Sequence, residues 1–157
     1  MDNPGPSDKL QWGPRLWRLL HYMAEVSDRR DIIPLWQKWI HATASIMPCE
    51  RCRLHLKQYL QTHIVIPLVN PSLIRGADVR IGIRMAMFQL HNDVNIHLGK
   101  ESIPYEQLEM YSGLSREETL NRIRTLFQEL KESWKVESHE WVRIYKNILV
   151  RVAIGDE

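Results

Sequence analysis

Apolar residues recur at three- and four-residue steps along most of this 157-residue chain, and the alternation expected of strands is almost absent. That period restricts the fold class to all-α. A first helix is expected from about Trp12 to Val26, with Leu16, Trp17, Leu20 and Ala24 on one stripe and Pro14 in its first turn. A second spans roughly Ile33 to Ile46, with Leu35, Trp36, Trp39, Ile40 and Thr43 inward, and Pro48 breaks it. A third starts at about Cys49 and ends near Gln61. An irregular stretch from His63 to Arg75 holds Pro67 and Pro71. A fourth helix covers about Ala77 to Leu98 and stops at Gly99. Pro104 to Tyr111 reads as a short fifth, closed by Gly113.

The remainder reads as an extension. Ser115-Arg116-Glu117-Glu118 is a capping box, and Leu120, Ile123, Phe127, Leu130 and Trp134 follow as an apolar seam. A last helix, about Glu140 to Val152, puts Trp141, Tyr145, Ile148 and Val152 on one face. The seam is expected to pack on the core, with dimerisation or partner docking as alternatives. Length fits one domain with an appendage. A net charge of +2 makes no case for nucleic acid or an anionic membrane. The stretch Ile64 to Ile74 is too short to span a bilayer, and Met1 to Lys9 lacks the basic-then-apolar pattern of a signal peptide. The expectation is a soluble protein without a standard export signal.

The two cysteines form one C-x-x-C, Cys49-Glu50-Arg51-Cys52. With no other thiol, a disulfide framework is impossible. A bridge within the pair closes a very small loop and adds little stability, which favours chemistry over stapling. Pro48 sets the pair at a helix start, where free N–H groups and the dipole favour a thiolate. Arg51, Arg53 and Lys57 add positive charge. These features suit thiol–disulfide exchange. Half a zinc site or an inert buried pair are the alternatives; His55 and His63 are poorly spaced as further zinc ligands. The missing βαβ pattern excludes a thioredoxin fold.

Two other groupings carry polar chemistry. His91, Asn95 and Leu98 share a helix face, flanked by Asn92 and Val94. Amides and an imidazole aimed near the core need partners, which a planar polar ligand or an ordinary helix cap would supply. Trp17 and His21, one turn apart, would wall a ring system or simply sit in the core.

Three motifs in order resemble the Erv/ALR family of FAD-linked sulfhydryl oxidases. They are Trp12-Gly13-Pro14 with Trp17 and Leu20-His21, then Pro48-Cys49-x-x-Cys52, then His91-Asn92-x-Val94-Asn95-x-x-Leu98-Gly99-Lys100. The resemblance runs from Trp12 to about Tyr111, and the compact form is most similar to members encoded by large DNA viruses. It implies a four-helix bundle with a short fifth helix. The domain plan is then a flexible N-terminus (1–11), an FAD-binding thiol oxidase domain (12–113) and a helical C-terminal extension (114–157). It implies Cys49 as the solvent-facing thiol that substrate attacks and Cys52 as the one in charge-transfer contact with the flavin. It implies His91, Asn92, Val94, Asn95, Leu98 and Lys100 around the flavin and its adenine arm. Gly13, Trp17 and His21 complete the pocket, and Tyr105 or Tyr111 fills a later aromatic position. Electrons would pass from a dithiol protein through Cys49 and Cys52 to FAD and on to oxygen, giving hydrogen peroxide, with no metal.

The departures are specific. Met47 stands where the family often has an aromatic, and no shuttle cysteine pair lies outside the core. Electrons must therefore arrive from a separate client or dithiol carrier protein. A homodimer is expected from family habit, with no nucleic-acid or membrane partner. The viral likeness places the chain in host cytoplasm, viral assembly sites or the virion, with the mitochondrial intermembrane space as the alternative. A zinc-binding or protein-interaction helical module, and a degenerate member that binds FAD without turnover, are the competing readings.

Overall fold

The computed structural model describes residues 6–63, 75–136 and 139–154, and among them every element is helical. Six α-helices follow in order among the described residues: α1 (Pro6–Glu25), α2 (Ile33–Ile46), α3 (Glu50–Thr62), α4 (Gly76–His97), α5 (Arg116–Trp134) and α6 (Glu140–Ile154). Short 3-10 turns stand at Arg30–Ile32, before α2, and at Tyr105–Tyr111, where a short fifth helix is expected. The stretch between His63 and Arg75, with Pro67 and Pro71, lies outside the described residues.

The start of α1 corrects one expectation. The helix begins at Pro6, so Pro14 sits in its interior, not in the first turn. An interior proline removes one backbone hydrogen bond and costs roughly 3 kcal/mol. The helix persists because Leu16, Leu19, Leu20 and Met23, at i, i+3, i+4 and i+7, are all buried. Each such burial contributes roughly 1.5–3 kcal/mol, so together they outweigh the proline.

The second helix has the expected bounds, with proline in its first turn. Trp36, Trp39, Ile40 and Thr43 are buried; Leu35 is only partly so. At the far end of α4, Gly99 adopts φ +76°. Its N–H bonds Ile96 O at 3.0 Å and the Lys100 N–H bonds Asn95 O at 2.7 Å. This paired closure needs a left-handed residue, which glycine supplies without strain.

Two rows of helices share one apolar core. In one row α1 lies between α4 and α5; in the other α2 lies between α3 and α6. The expected seam on α5 is inward, with Leu120, Ile123, Phe127 and Leu130 buried and Trp134 partly so. On α6, Trp141, Tyr145, Ile148 and Val152 are buried as well. The Ser115 hydroxyl accepts from the Glu118 N–H at 3.1 Å and caps α5. Arg116 then joins three chain segments: it pairs with Asp28, and bonds Val26 O at 3.3 Å and Val152 O at 2.6 Å.

Asp28 is 6% exposed, so losing the guanidinium strands a buried carboxylate. Arg116→Ala is expected to destabilise the protein by about 2–3 kcal/mol, read as a lower midpoint in urea denaturation with an unchanged slope.

Candidate active site

The third helix is built from its first turn. Pro48 ends the turn after α2, and Cys49 enters α3 as its N-cap with extended backbone. The Cys49 sulfur accepts the Cys52 N–H at 3.2 Å, taking the position that a serine oxygen usually fills. The two sulfurs form a disulfide with Cα atoms 5.1 Å apart. A guanidinium N–H of Arg53 donates to Met47 O and holds the turn.

A cavity of about 480 Å³ opens beside this turn, bounded by α1, α2, α3, α4 and the segment after α4. Cys52 lies on its wall and Cys49 does not; both are partly exposed. Among the expected site residues, Gly13, Trp17, His91, Val94, Asn95, Leu98, Lys100 and Tyr111 also line it. His21, Asn92 and Tyr105 do not line it; His21 and Asn92 bond residues that do. The Asn92 side chain exchanges two hydrogen bonds with the Ile103 backbone, at 3.0 and 2.8 Å, and so tethers a lining residue. Tyr105 packs edge-on against Phe88.

His21 acts through its neighbours. Its Nε2 is 3.0 Å from His91 Nδ1, Trp17 stacks on His91 at 4.1 Å, and Tyr111 stacks on His21 at 4.8 Å. One proton shared between the facing nitrogens satisfies both rings; a second would set N–H against N–H. Burial, then the charges of His91 and Arg84, push His21 down to about 3. Burial, then Lys100, pushes His91 down to about 4. Both imidazoles are neutral at pH 7.

Sequence reasoning missed several lining groups. Trp12 lines the cavity, with its indole N–H buried and without an acceptor among the described residues. Thr43 and Leu56 contribute from α2 and α3. His55 lines it too, stacks on His97 at 3.8 Å and bonds Asp93 at 2.8 Å. Its position three residues after Cys52, on the helix whose start the dithiol marks, was the available signal.

The lining suits a large planar cofactor with an anionic arm. Volumes of roughly 300–1,000 Å³ with mostly apolar walls are typical of ligand sites. Leu20, Leu56, Leu90 and Val94 give apolar walls, while Arg18, Arg51 and Lys100 give an exposed cationic rim. The Asn95 amide is 8% exposed and makes no side-chain hydrogen bond among the described residues, so it is free to bind a ring heteroatom. No group of three or more His, Cys, Asp or Glu side chains among the described residues is suited to a metal ion. No helix among them is long and apolar enough to cross a membrane.

The histidine pair ties stability to pH. Both folded values lie below the ordinary 6.5, so the unfolded chain takes up protons first as pH falls. The stabilisation is complete above about pH 6.5 and declines towards pH 4 and below. Melting temperature should fall between pH 6.5 and 4, and His91→Gln should shrink that fall. Equal slopes in both proteins would rule the pair out as its source.

Residues 14–112 match the Erv1/Alr family model. The chain is 30% identical over 121 residues to an FAD-linked sulfhydryl oxidase of African swine fever virus (a Tick/Malawi isolate), covering 73% of this chain and 87% of that protein. The same enzyme from a Warthog/Namibia isolate is 31% identical over 105 residues, covering 62% of this chain and 76% of the relative. No solved structure matches with significance. A match across this much of the chain, containing both cysteines and all of the cavity lining but Trp12 and Gly13, makes the protein a member of the Erv1/Alr family.

Proposed function

We propose that this FAD-linked sulfhydryl oxidase forms disulfides in client proteins by relaying electrons from a dithiol through Cys49 and then Cys52. The single observation that carries the order is the split of the two cysteines: Cys52 lines the cavity and Cys49 does not. A substrate thiolate attacks the Cys49 sulfur and forms a mixed disulfide, releasing Cys52 as thiolate. The second substrate thiolate attacks its own sulfur in that bridge, and Cys49 leaves reduced. The helix N-terminus that bonds the Cys49 sulfur makes it a good leaving group.

When bound, FAD accepts the electron pair from the reduced cysteines and passes it to oxygen. The residues proposed to hold it are Gly13, Trp17, His91, Val94, Asn95, Leu98 and Lys100, with Tyr111 at the edge. His21 and Asn92 work one layer behind, by fixing His91 and Ile103. Tyr105, packed against Phe88 and off the cavity wall, has no contact among the described residues that supports a cofactor role. Residues 12–113 form the cofactor-binding unit, and 114–157 are a helical extension to it.

With no cysteine outside the pair, the donor is a separate protein dithiol. The relatives found are viral, which supports a site of action in the cytoplasm of an infected cell or its virus assembly sites. A homodimer is the proposed working form. Light scattering of the purified protein should give twice the chain mass, and a monomer mass would remove that part of the reading.

The relay is tested by oxygen consumption with dithiothreitol. Cys52→Ala should keep flavin absorbance and lose turnover; Cys49→Ala should lose it too and form no mixed disulfide. Turnover surviving in either variant would overturn the proposal. Chelation by EDTA should leave the rate unaltered, whereas a zinc-dependent module would lose structure.

A further inference from the structure

The matched stretch ends at residue 112, yet two tryptophans beyond it reach the residues that wall the cavity. Trp134, at the end of α5, packs edge-on against Trp12, with ring centroids 5.8 Å apart and planes at 72°. Trp141, on α6, is fully buried and lies 5.3 Å from Trp134. Its indole N–H donates to Thr43 Oγ1 at 3.0 Å, and the Thr43 hydroxyl donates in turn to Trp39 O at 2.8 Å. Trp12 and Thr43 both line the cavity, from α1 and α2.

We infer that the C-terminal helices are part of the cofactor site, with Trp134 and Trp141 as positioning residues that set Trp12 and Thr43 in the cavity wall. The inference rests on the reading of this cavity as the FAD site. Trp12 is held on one edge by another ring, which limits its rotation about χ1 and χ2. Its buried N–H lacks an acceptor among the described residues and is available to a group bound in the cavity. Thr43 has its hydroxyl committed at both ends, so its methyl faces one way. Loss of either partner frees a wall residue and lowers cofactor affinity without touching the cofactor.

The test measures FAD dissociation from the full-length holoenzyme by flavin fluorescence on dilution. Trp134→Leu keeps apolar bulk and removes the ring edge, and Trp134→Phe keeps a ring. Ile123→Ala is the control for stability alone: Ile123 is fully buried on the same helix and is no part of the cavity lining. Trp134→Leu should weaken FAD binding by about fivefold. Trp134→Phe should restore it to within about twofold. Ile123→Ala should lower the melting temperature more than Trp134→Leu while leaving FAD affinity within about twofold of wild type. Unchanged affinity in Trp134→Leu, or a loss in Ile123→Ala that matches it, would overturn the inference. A wild-type protein that takes up no FAD would instead bring down the reading of the cavity itself, before any variant is compared.

Discussion

The first turn of α3 is the constraint on which the site depends. A proline stops the preceding helix, and the next residue caps the new one with sulfur in place of oxygen. That geometry puts two half-buried cysteines three residues apart, Cys52 on the cavity wall and Cys49 off it. A dithiol lying wholly in the core would be closed to a protein substrate; one lying wholly outside would be closed to a buried cofactor. Helix N-terminal N–H groups also stabilise the thiolate form that exchange requires.

The rest of the fold holds a cavity open beside that turn. Four helices wall it, and a helix cage is a common place for a cofactor because facing side chains converge there. Beyond the cavity the core is rich in aromatic side chains: Trp36, Trp39 and Trp141 are fully buried, and Phe127 and Tyr145 stack at 3.5 Å. The helices that follow the family stretch thus enlarge the core beside the site. Arg116 binds the two parts electrostatically by gathering Asp28 and the ends of α1 and α6 onto one guanidinium.

The helical class, the seam on α5 and α6 and the chemistry of the dithiol were legible because each is local. Periods of three and four residues report one buried face directly. The capping serine before α5 and the glycine after α4 acted as expected, because caps involve neighbours in sequence. The start of α1 was misjudged for a related reason: a proline reads as a first-turn residue until the burial of four later side chains is counted against it. Eight of the expected cofactor residues fell on the cavity wall through recognition of an ordered set of motifs, with no support from periodicity alone.

Sequence by itself determined the all-helical class and a lone C-x-x-C at a helix start, since these follow from spacing within a few residues. Tertiary structure decided which sulfur faces the cavity, that His21 reaches His91 across 70 positions, and that Trp141 bonds Thr43 across 98. Contacts of that range depend on how helices cross and rotate, and no short window of residues carries that information. The places of Trp12 and His55 on the wall belong with them, because they depend on ring contacts with Trp134 and His97, far off in sequence.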